Sequence, residues 1–313
     1  MDLDARLDAL VAPLRADTVS GATVVAGAAA EVLRRASVRI QAGSVEELRW
    51  GLGEVAVKML DAQPSMAPLV RLLQDVLSAV EAAETVEEGR LVAASAAEDF
   101  RARLDELAAA VAERATAILP HQGIAATISS SSTVRAALVA WAGEDAGDAG
   151  ARRVLCLESR PMDEGRTFAE ALAREGVEVT LAVDAAAYSL MPSCSLVLLG
   201  ADSIGDRGVV NKIGSAALAH AAQSAGVPVY VLCDETKVLP PGFPQIVEDD
   251  RPGSEVWKAP AGVRVWNRYF EVVPLVLVTG VVTERAVLEP AELESVRGRM
   301  RFPDFLRRWA EGR

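Results

Sequence analysis

Residues 195–226, SLVLLGADSIGDRGVVNKIGSAALAHAAQSAG, contain the pattern that decides the fold. The run SLVLL is apolar at nearly every position, which is typical of a strand buried on both faces of a parallel sheet. The alanine-rich segment that follows has the composition of a helix, and we expect Asn211 and Lys212 to open it. Between strand and helix, residues 200–215 contain four glycines and the acidic residue Asp202. A purely structural turn needs only a glycine or two and a polar cap.

Five further short apolar runs occur after residue 120, and helical patterns separate several of them. The runs are GIAATI, RVLCLE, VEVTLAV, VPVYVLC and VPLVLVTG. Strands that alternate with helices predict a doubly wound parallel sheet. We therefore predict a Rossmann-like α/β domain, which binds the ligand, over residues 120–313.

The preceding part of the chain, residues 1–119, shows helical periodicity only and predicts an N-terminal helical domain. Ser44 with Glu47, and Thr85 with Glu88, have the spacing of capping boxes at two helix starts. The helix that begins at Thr85 continues as one amphipathic stretch to the end of this domain. Such a long helix predicts a connection between the two domains.

Composition and charge exclude several function classes. The net charge of -12 argues against bulk attraction to nucleic acid or to an anionic membrane, so direct nucleic-acid binding is not expected. Three cysteines without a CxxC pair, and two histidines, do not make a usual zinc site, and no P-loop occurs, so we predict neither metal nor cofactor. The N-terminus lacks the apolar run of a secretory signal, and no stretch of 18 apolar residues occurs, which predicts a cytoplasmic protein.

Unusual polar residues follow the predicted strands, and ligands of parallel sheets bind at the carboxyl ends of the strands. The first strand runs into SSSSTV at residues 129–134. Hydroxyl and backbone N–H groups at a helix start suit a phosphate or another anion, which predicts contacts from Ser131, Ser132 and Thr133. The plainer alternative is that one serine caps the helix and the others belong to a loop.

Asp202 directly follows an apolar strand, so we expect burial to raise the pKa of its carboxyl group and to suit it to general acid–base catalysis. Asn211 and Lys212 would then orient or neutralise the phosphate and hydroxyl groups of a ligand. Lys237 follows the next strand and would join them. The alternative is that Asp202 caps the turn while Lys212 pairs with a carboxylate.

Four segments in this order, SSSSTV, ESRPMDEGR, GADSIGDRGVVNKIG and DETK, resemble the family of the translation initiation factor 2B alpha, beta and delta subunits. That family also contains methylthioribose-1-phosphate isomerase and ribose-1,5-bisphosphate isomerase. The resemblance extends to SGA at residues 20–22, to AQPSMAPL, and to NRYFEVVP and VTGVVTE, so it spans nearly the whole chain. It implies a helical domain joined by a long helix to a Rossmann-like domain, which pairs as a homodimer or a higher homo-oligomer.

The resemblance also implies which residues contact a phosphorylated small molecule. Beyond the serine run and Lys237, these residues are Ser20, Gly21, Ala22, Arg160, Asn211 and Lys212. Ser20 replaces the arginine that usually precedes the G-A pair, which removes one phosphate contact.

The catalytic pair of the isomerases is only half present in this sequence. They carry a cysteine in a T-H-C motif at the end of the first strand, opposite the aspartate that matches Asp202. Here the matching residues are Thr127, Ile128 and Ser129. A serine hydroxyl is a far poorer proton donor than a thiol, whose pKa is roughly 8.5. Asp202 and Ser129 are therefore the candidate catalytic residues, with Ser129 acting through water.

Three functions remain open from the sequence. The protein isomerises a sugar phosphate, or it binds a phosphorylated sugar or nucleotide without turnover as a regulatory or translation-factor-like subunit, or it is a scaffold with a vestigial pocket. The scaffold function is the weakest of the three, because an unused pocket gives no physical reason to retain all four of Asp202, Asn211, Lys212 and Lys237. The sequence favours binding of a phosphorylated metabolite, with little turnover of the two substrates that the family names.

Overall fold

The computed structural model describes residues 3–17, 20–143, 152–247, 250–300 and 304–311. The chain divides into two compact units. Unit 1 contains Met1–Glu106, Thr236–Ile246 and Ser295–Arg313, and unit 2 contains Leu107–Glu235 and Val247–Glu294. The first boundary falls inside the long helix, whereas the sequence analysis placed it after residue 119, and that domain division stays a prediction.

Unit 1 is built from helices, as expected for the N-terminal part of the chain. They are α1 (Leu3–Ala16), α2 (Ala22–Arg39), α3 (Val45–Ala62), α4 (Ala67–Glu81), the first part of α5 (Val86–Ala115) and α11 (Asp304–Glu311). Their apolar stripes pack against one another, and Leu33, Leu52, Met59, Leu69 and Leu73 are fully buried. No helix in the described ranges is both long and apolar enough to cross a membrane.

Two of these helices begin at the predicted caps. The Ser44 hydroxyl accepts a hydrogen bond from the backbone N–H of Glu47 (3.2 Å), and the Thr85 hydroxyl accepts one from Glu88 (3.2 Å). In both cases the glutamate side chain reaches back to the residue before the cap instead of the cap itself. The capping signals in the sequence therefore located both helix starts.

Unit 2 contains a seven-stranded sheet. Its strands are β1 (Gly123–Thr127), β2 (Arg152–Leu157), β3 (Glu178–Ala182), β4 (Leu196–Leu199), β7 (Val229–Leu232), β9 (Gly280–Val282) and β10 (Val287–Leu288), in the spatial order β10-β9-β7-β4-β1-β2-β3. All neighbours are parallel except β10, which is antiparallel to β9. The predicted α/β fold with a mostly parallel sheet is confirmed.

The order of the strands sets the place of the site. The chain moves outward from β1 through β2 to β3, and then returns to the other side of β1 to form β4. The carboxyl ends of β1 and β4 therefore form a topological switch point, where open α/β sheets bind ligands.

Residues 203–212 differ from the sequence prediction. They form an antiparallel hairpin of β5 (Ser203–Gly205) and β6 (Gly208–Lys212), and β6 also pairs with β8 (Phe270–Val273). Asn211 and Lys212 thus lie on a strand, and the prediction that they open a helix is wrong. Gly208 makes the hairpin possible, because its φ is +130° and a Cβ there would lie 2.3 Å from the carbonyl oxygen of Val273.

The predicted strand VPLVLVTG is also wrong. Strand β8 ends at Val273, residues Leu275–Leu277 form a 3-10 turn, and β9 begins only at Gly280. Pro274 explains the interruption, since it has no N–H for a ladder and its carbonyl accepts the turn hydrogen bond from Leu277 (3.0 Å).

The helices of unit 2 include α6 (Ser132–Gly143), α7 (Glu164–Arg174), α8 (Ala187–Leu190) and α9 (Ser215–Ala225). Helix α10 (Leu293–Arg297) begins in the last two residues of unit 2. Helices α6 and α7 contribute Leu138, Trp141, Phe168 and Leu172 to a core under β1, β2 and β4. This core is rigid support for the loops that leave the carboxyl ends of those strands.

Candidate functional site

The ends of β1 and β4 lie against each other at the switch point. A Cβ on Gly200, directly after β4, would lie 2.8 Å from Cβ of Ser131, which follows β1, and 4.0 Å from Oδ1 of Asn211. Gly200 therefore keeps room for a close approach between the serine run and β6. The sequence predicts that these segments lie at one edge of the sheet.

Ser129 has an unusual backbone conformation. Its φ is +75°, in the left-handed region that a residue with a Cβ adopts at a cost of about 1–2 kcal/mol. Its backbone N–H donates a hydrogen bond to Oγ of Ser159 (2.7 Å), and this hydroxyl donates in turn to the carbonyl oxygen of Leu157 (3.1 Å). The loop after β2 thus holds Ser129 in place, and backbone strain of this kind is common at functional sites.

A carboxylate lies between Ser129 and Lys212. Glu164 Oε1, at the start of α7, is 2.7 Å from Lys212 Nζ and accepts a hydrogen bond from Ser129 Oγ at 3.2 Å. The side chains of Lys212 and Glu164 are only 8% and 16% exposed. Glu164 Oε2 is buried and has no hydrogen-bond partner among the described residues. The loop after β1, the start of α7 and the end of β6 therefore bring a hydroxyl, a carboxylate and an ammonium group into contact.

The Lys212 ammonium group also lies over two aromatic rings. Nζ is 5.3 Å from the ring centre of Tyr269 and 5.1 Å from that of Phe270, which begins β8. Both distances allow cation–π attraction. The Tyr269 hydroxyl donates to Glu255 Oε2 at 2.7 Å, which fixes the ring. Lys212 is thus held in one position by its surroundings.

Asp202 lies at the end of β4 and is buried, as expected, with 8% of its surface exposed. Its backbone N–H donates to the carbonyl oxygen of Val210 on β6 (2.9 Å), so the hairpin fixes it beside the Asn211–Lys212 pair. Asn211 is also buried, and its Nδ2 donates to Oγ of Ser215 at 3.0 Å.

The serine run combines capping with buried hydroxyls. Ser131 caps α6, since its Oγ accepts a hydrogen bond from the backbone N–H of Val134 (3.3 Å). Ser132 is exposed, whereas Thr133 is fully buried and its hydroxyl has no partner in the described part of the chain. The capping alternative therefore holds for Ser131, and the predicted anion contacts of the three residues stay a prediction.

Arg160 lies in the loop after β2 and is exposed. Its backbone N–H and that of Ser159 donate to the two carboxylate oxygens of Asp184 (2.7 and 2.8 Å). The Arg160 guanidinium group donates to the carbonyl oxygen of Val256 (3.2 Å) and lies 3.6 Å from Asp163. Its predicted role at a ligand is untested.

Four other predicted ligand residues belong to unit 1. Gly21 is the N-cap of α2, whose first residue, Ala22, is buried, and the backbone N–H of Ser20 donates to Asp17 (2.9 Å). Lys237 is buried. Their contacts with a ligand also remain predictions.

Cys156 does not replace the missing thiol. It is fully buried in β2, and its Sγ faces the carbonyl oxygens of Leu157 and Gly165. Burial, with the nearby carboxylates of Asp184 and Glu164, raises the pKa of the Cys156 thiol to about 12. A thiol with that pKa is a poor proton donor at neutral pH.

The sequence does not identify Glu164 as a site residue. The segment ESRPMDEGR contains it, but a glutamate in the first turn of a helix is equally expected as a favourable partner of the helix dipole. Its contacts with Ser129 and Lys212 span 35 and 48 positions of the chain, and no local pattern encodes them. The sequence had anticipated a carboxylate partner for Lys212 without naming it.

Comparisons with known proteins agree with this architecture. A methylthioribose-1-phosphate isomerase of Gemmatimonas aurantiaca is 30% identical over 298 residues, which cover 91% of this chain and 86% of that protein. A ribose 1,5-bisphosphate isomerase of Thermococcus kodakarensis is 29% identical over 292 residues and 87% of each chain. The crystal structure of a translation initiation factor eIF-2B of Pyrococcus horikoshii matches with a TM-score of 0.77 and 25% identity, covering 91% of this chain and 97% of that one.

A match to a known protein family covers most of the chain. The model of the Initiation factor 2 subunit family matches residues 18–290, which include both helical and α/β parts and every segment that carried the sequence resemblance. The resemblance is confirmed, and the chain belongs to the Initiation factor 2 subunit family.

Proposed function

We propose that this protein binds a sugar phosphate at the switch point of unit 2 and interconverts its aldose and ketose forms. The observation that carries the proposal is the group of buried polar side chains, Asp202, Asn211 and Lys212, that the β5–β6 hairpin holds together after β4, with Glu164 linking Lys212 to Ser129. Buried polar groups of this kind are costly for folding, so a ligand-binding role accounts for their presence. The similarity to two sugar-phosphate isomerases supports the substrate class.

The chemistry requires proton exchange at the oxygens of the sugar. Asp202 is the candidate acid–base group, because it is buried and follows β4, the neighbour of the strand that Ser129 follows. Lys212 and Asn211 would bind the phosphate and hydroxyl groups and orient the sugar. The serine run at the start of α6 would supply further hydrogen bonds to an anion.

A second function has one specific observation in its favour. The sequence resemblance implies that Ser129 replaces the cysteine of the family's isomerases, so the protein would bind the same class of ligand without turnover, as a regulatory subunit. The two functions predict the same ligand and differ in turnover.

The discriminating experiment combines binding with turnover. The purified protein is mixed with methylthioribose 1-phosphate or ribose 1,5-bisphosphate, and conversion is followed by phosphorus NMR. The sequence predicts little turnover of these two substrates, but the similarity to two isomerases and the contact of Ser129 with Glu164 lead us to expect that one of them raises the melting temperature and is converted to its ketose. Stabilisation without conversion would support the regulatory function, and neither effect would contradict both proposals.

The phosphate-binding role of Lys212 has its own test. Lys212→Ala should weaken binding of that ligand by about 1.5–3 kcal/mol, the range for a hydrogen bond to a charged group. Isothermal titration calorimetry gives the affinity, and Lys258→Ala, an exposed lysine of the same unit, is the matched control. Equal affinities for Lys212→Ala and the parent would remove Lys212 from the site.

A further inference from the structure

We propose that Ser129 and Glu164 act together as a proton relay, in which the Glu164 carboxylate makes the Ser129 hydroxyl competent for the exchange that a cysteine performs in the related isomerases. The inference rests on the proposed isomerase function and adds a residue to it. Ser129 is half-buried and would contact the sugar, whereas Glu164 accepts a hydrogen bond from its hydroxyl and would act through it.

The geometry of the pair has the elements of an activated hydroxyl. Ser129 Oγ donates to Glu164 Oε1 at 3.2 Å, within the reach that is typical of such pairs before substrate binds. The Ser129 backbone is fixed in its left-handed conformation by Ser159. Lys212 fixes the other partner, since Nζ lies 2.7 Å from the same Glu164 oxygen. Both members of the pair are therefore oriented before a ligand arrives.

The environment of Glu164 favours a functional explanation over a structural one. The ion pair with Lys212 is largely buried, and buried pairs often stabilise a fold no more than apolar residues of the same size. Glu164 Oε2 is buried and accepts no hydrogen bond from the described residues, which costs stability. A carboxylate kept under these conditions and in contact with a strained serine is a candidate for proton exchange.

The reaction balances with these groups alone. In a sugar phosphorylated at O1 the ring is closed, so isomerisation breaks the bond between C1 and the ring oxygen. Asp202 gives a proton to the ring oxygen, which keeps the electron pair of the broken bond, and the hydrogen on C2 moves to C1 as a hydride with its bonding pair. The proton of O2 passes to Ser129 Oγ while the Ser129 proton passes to Glu164 Oε1, and C2 becomes a carbonyl. The proton on Glu164 returns to Asp202 through solvent, and no oxidant or reductant is consumed.

The placement of the three residues fits these roles. In the sheet, β1 lies between β4 and β2. Ser129 follows β1, Asp202 follows β4, and Glu164 follows the loop after β2. Asp202 and Glu164 thus follow strands on opposite sides of the strand that Ser129 follows, an order that suits an acid and a base acting on two oxygens of one sugar.

The test is a set of Glu164 and Ser129 variants assayed on methylthioribose 1-phosphate and ribose 1,5-bisphosphate. Glu164→Gln keeps the size of the side chain but removes the base, so we expect kcat to fall by about 100-fold, with KM changed far less. Ser129→Ala should have a loss of similar size. Glu170→Gln, an exposed glutamate on the same helix, is the matched control, and melting temperatures verify folding.

The decisive comparison is made in a cysteine background. A thiol exchanges protons without help, so Ser129→Cys should restore turnover to the Glu164→Gln variant. A glutamate that only supports the fold would cost the same factor with either residue at position 129. An equal loss in the two backgrounds would therefore overturn the relay, and so would undiminished turnover of Glu164→Gln.

Failure of the proposed function gives a different result. If the parent protein binds either sugar phosphate without turnover and Ser129→Cys alone gains it, the site belongs to a binder whose serine is inactive, and the relay is refuted. If the parent turns over but is insensitive to Glu164→Gln, the isomerase function stands without the relay.

Discussion

The two glutamates of helix α7 each pair with a cation, one at the buried start of the helix and one at its exposed end. Glu164 and Lys212 lie 2.7 Å apart with side chains 16% and 8% exposed, whereas Glu170 and Arg174 lie 3.1 Å apart with side chains 65% and 76% exposed. The second pair has the i, i+4 spacing that a helix surface provides by itself. The first joins segments 48 positions apart and exists only because the sheet and the hairpin bring them together.

The difference teaches how burial changes the meaning of the same chemical pair. In water the charges are screened, and an i, i+4 pair contributes about 0.3–0.5 kcal/mol. At the buried start each charge has lost most of its hydration, so removal of one partner leaves the other as an uncompensated buried charge. The exposed pair contributes only to the local stability of the helix, whereas the buried pair connects α7 to the candidate site.

The packing at the buried start of α7 provides the largest expected effect. A Cβ on Gly165 would lie 1.9 Å from the carbonyl oxygen of Leu157 and 2.9 Å from the backbone carbon of Glu158. Because both atoms belong to the backbone, Gly165→Ala must displace the helix from the end of β2. We expect a loss of roughly 3 kcal/mol in the free energy of unfolding, measured by urea denaturation.

Gly143→Ala is the matched control for that substitution. Gly143 ends α6, and a Cβ there would have no heavy atom of the described residues within 4 Å. Alanine favours the helix over glycine, so the control should be neutral or slightly stabilising. Equal stability of the two variants would mean that α7 is not packed as tightly against β2 as the structure describes.

The contrast between the two pairs also explains how far the sequence could be interpreted. Buried strands such as β1, β2 and β4 are predictable, because a core strand must be apolar on both faces and its pattern is local. The β5–β6 hairpin was not, since its pairing with β8 joins Val209 to Val273 across 64 positions. A glycine-rich segment with polar residues has the same local pattern whether it turns into a helix or forms a hairpin.

The candidate site divides in the same way. Asp202, Asn211 and Lys212 could be selected from the sequence because they follow a predicted strand and match a family segment. Glu164 could not, since its role depends on a contact with Lys212 that only the folded sheet creates. Local patterns identify which residues reach the carboxyl edge, and the three-dimensional arrangement decides which of them meet.

Substitutions in the buried pair of Glu164 and Lys212 should have an intermediate effect on the free energy of unfolding, which a double-mutant cycle measures. Lys212→Met removes the positive charge and leaves Glu164 buried beside Ser129, so we expect a loss of about 2 kcal/mol, below the full cost of a completely buried pair. Adding Glu164→Gln should recover part of that loss, because no uncompensated charge then remains. Urea denaturation of the four proteins gives the coupling energy, which should exceed about 1 kcal/mol. Additive effects would show that the two groups are hydrated independently.

The same cycle on the exposed pair should give the smallest effect. Glu170→Gln and Arg174→Gln remove charges that water already solvates, so we expect a coupling energy of about 0.3–0.5 kcal/mol. Salt provides a second criterion, because screening acts on exposed charges over roughly 8–10 Å at physiological ionic strength and much less on buried ones. Raising sodium chloride to 1 M should abolish the Glu170–Arg174 coupling and leave most of the Glu164–Lys212 coupling. If both couplings fell equally with salt, the start of α7 would be as open to water as its end, and the buried carboxylate on which the relay depends would not exist.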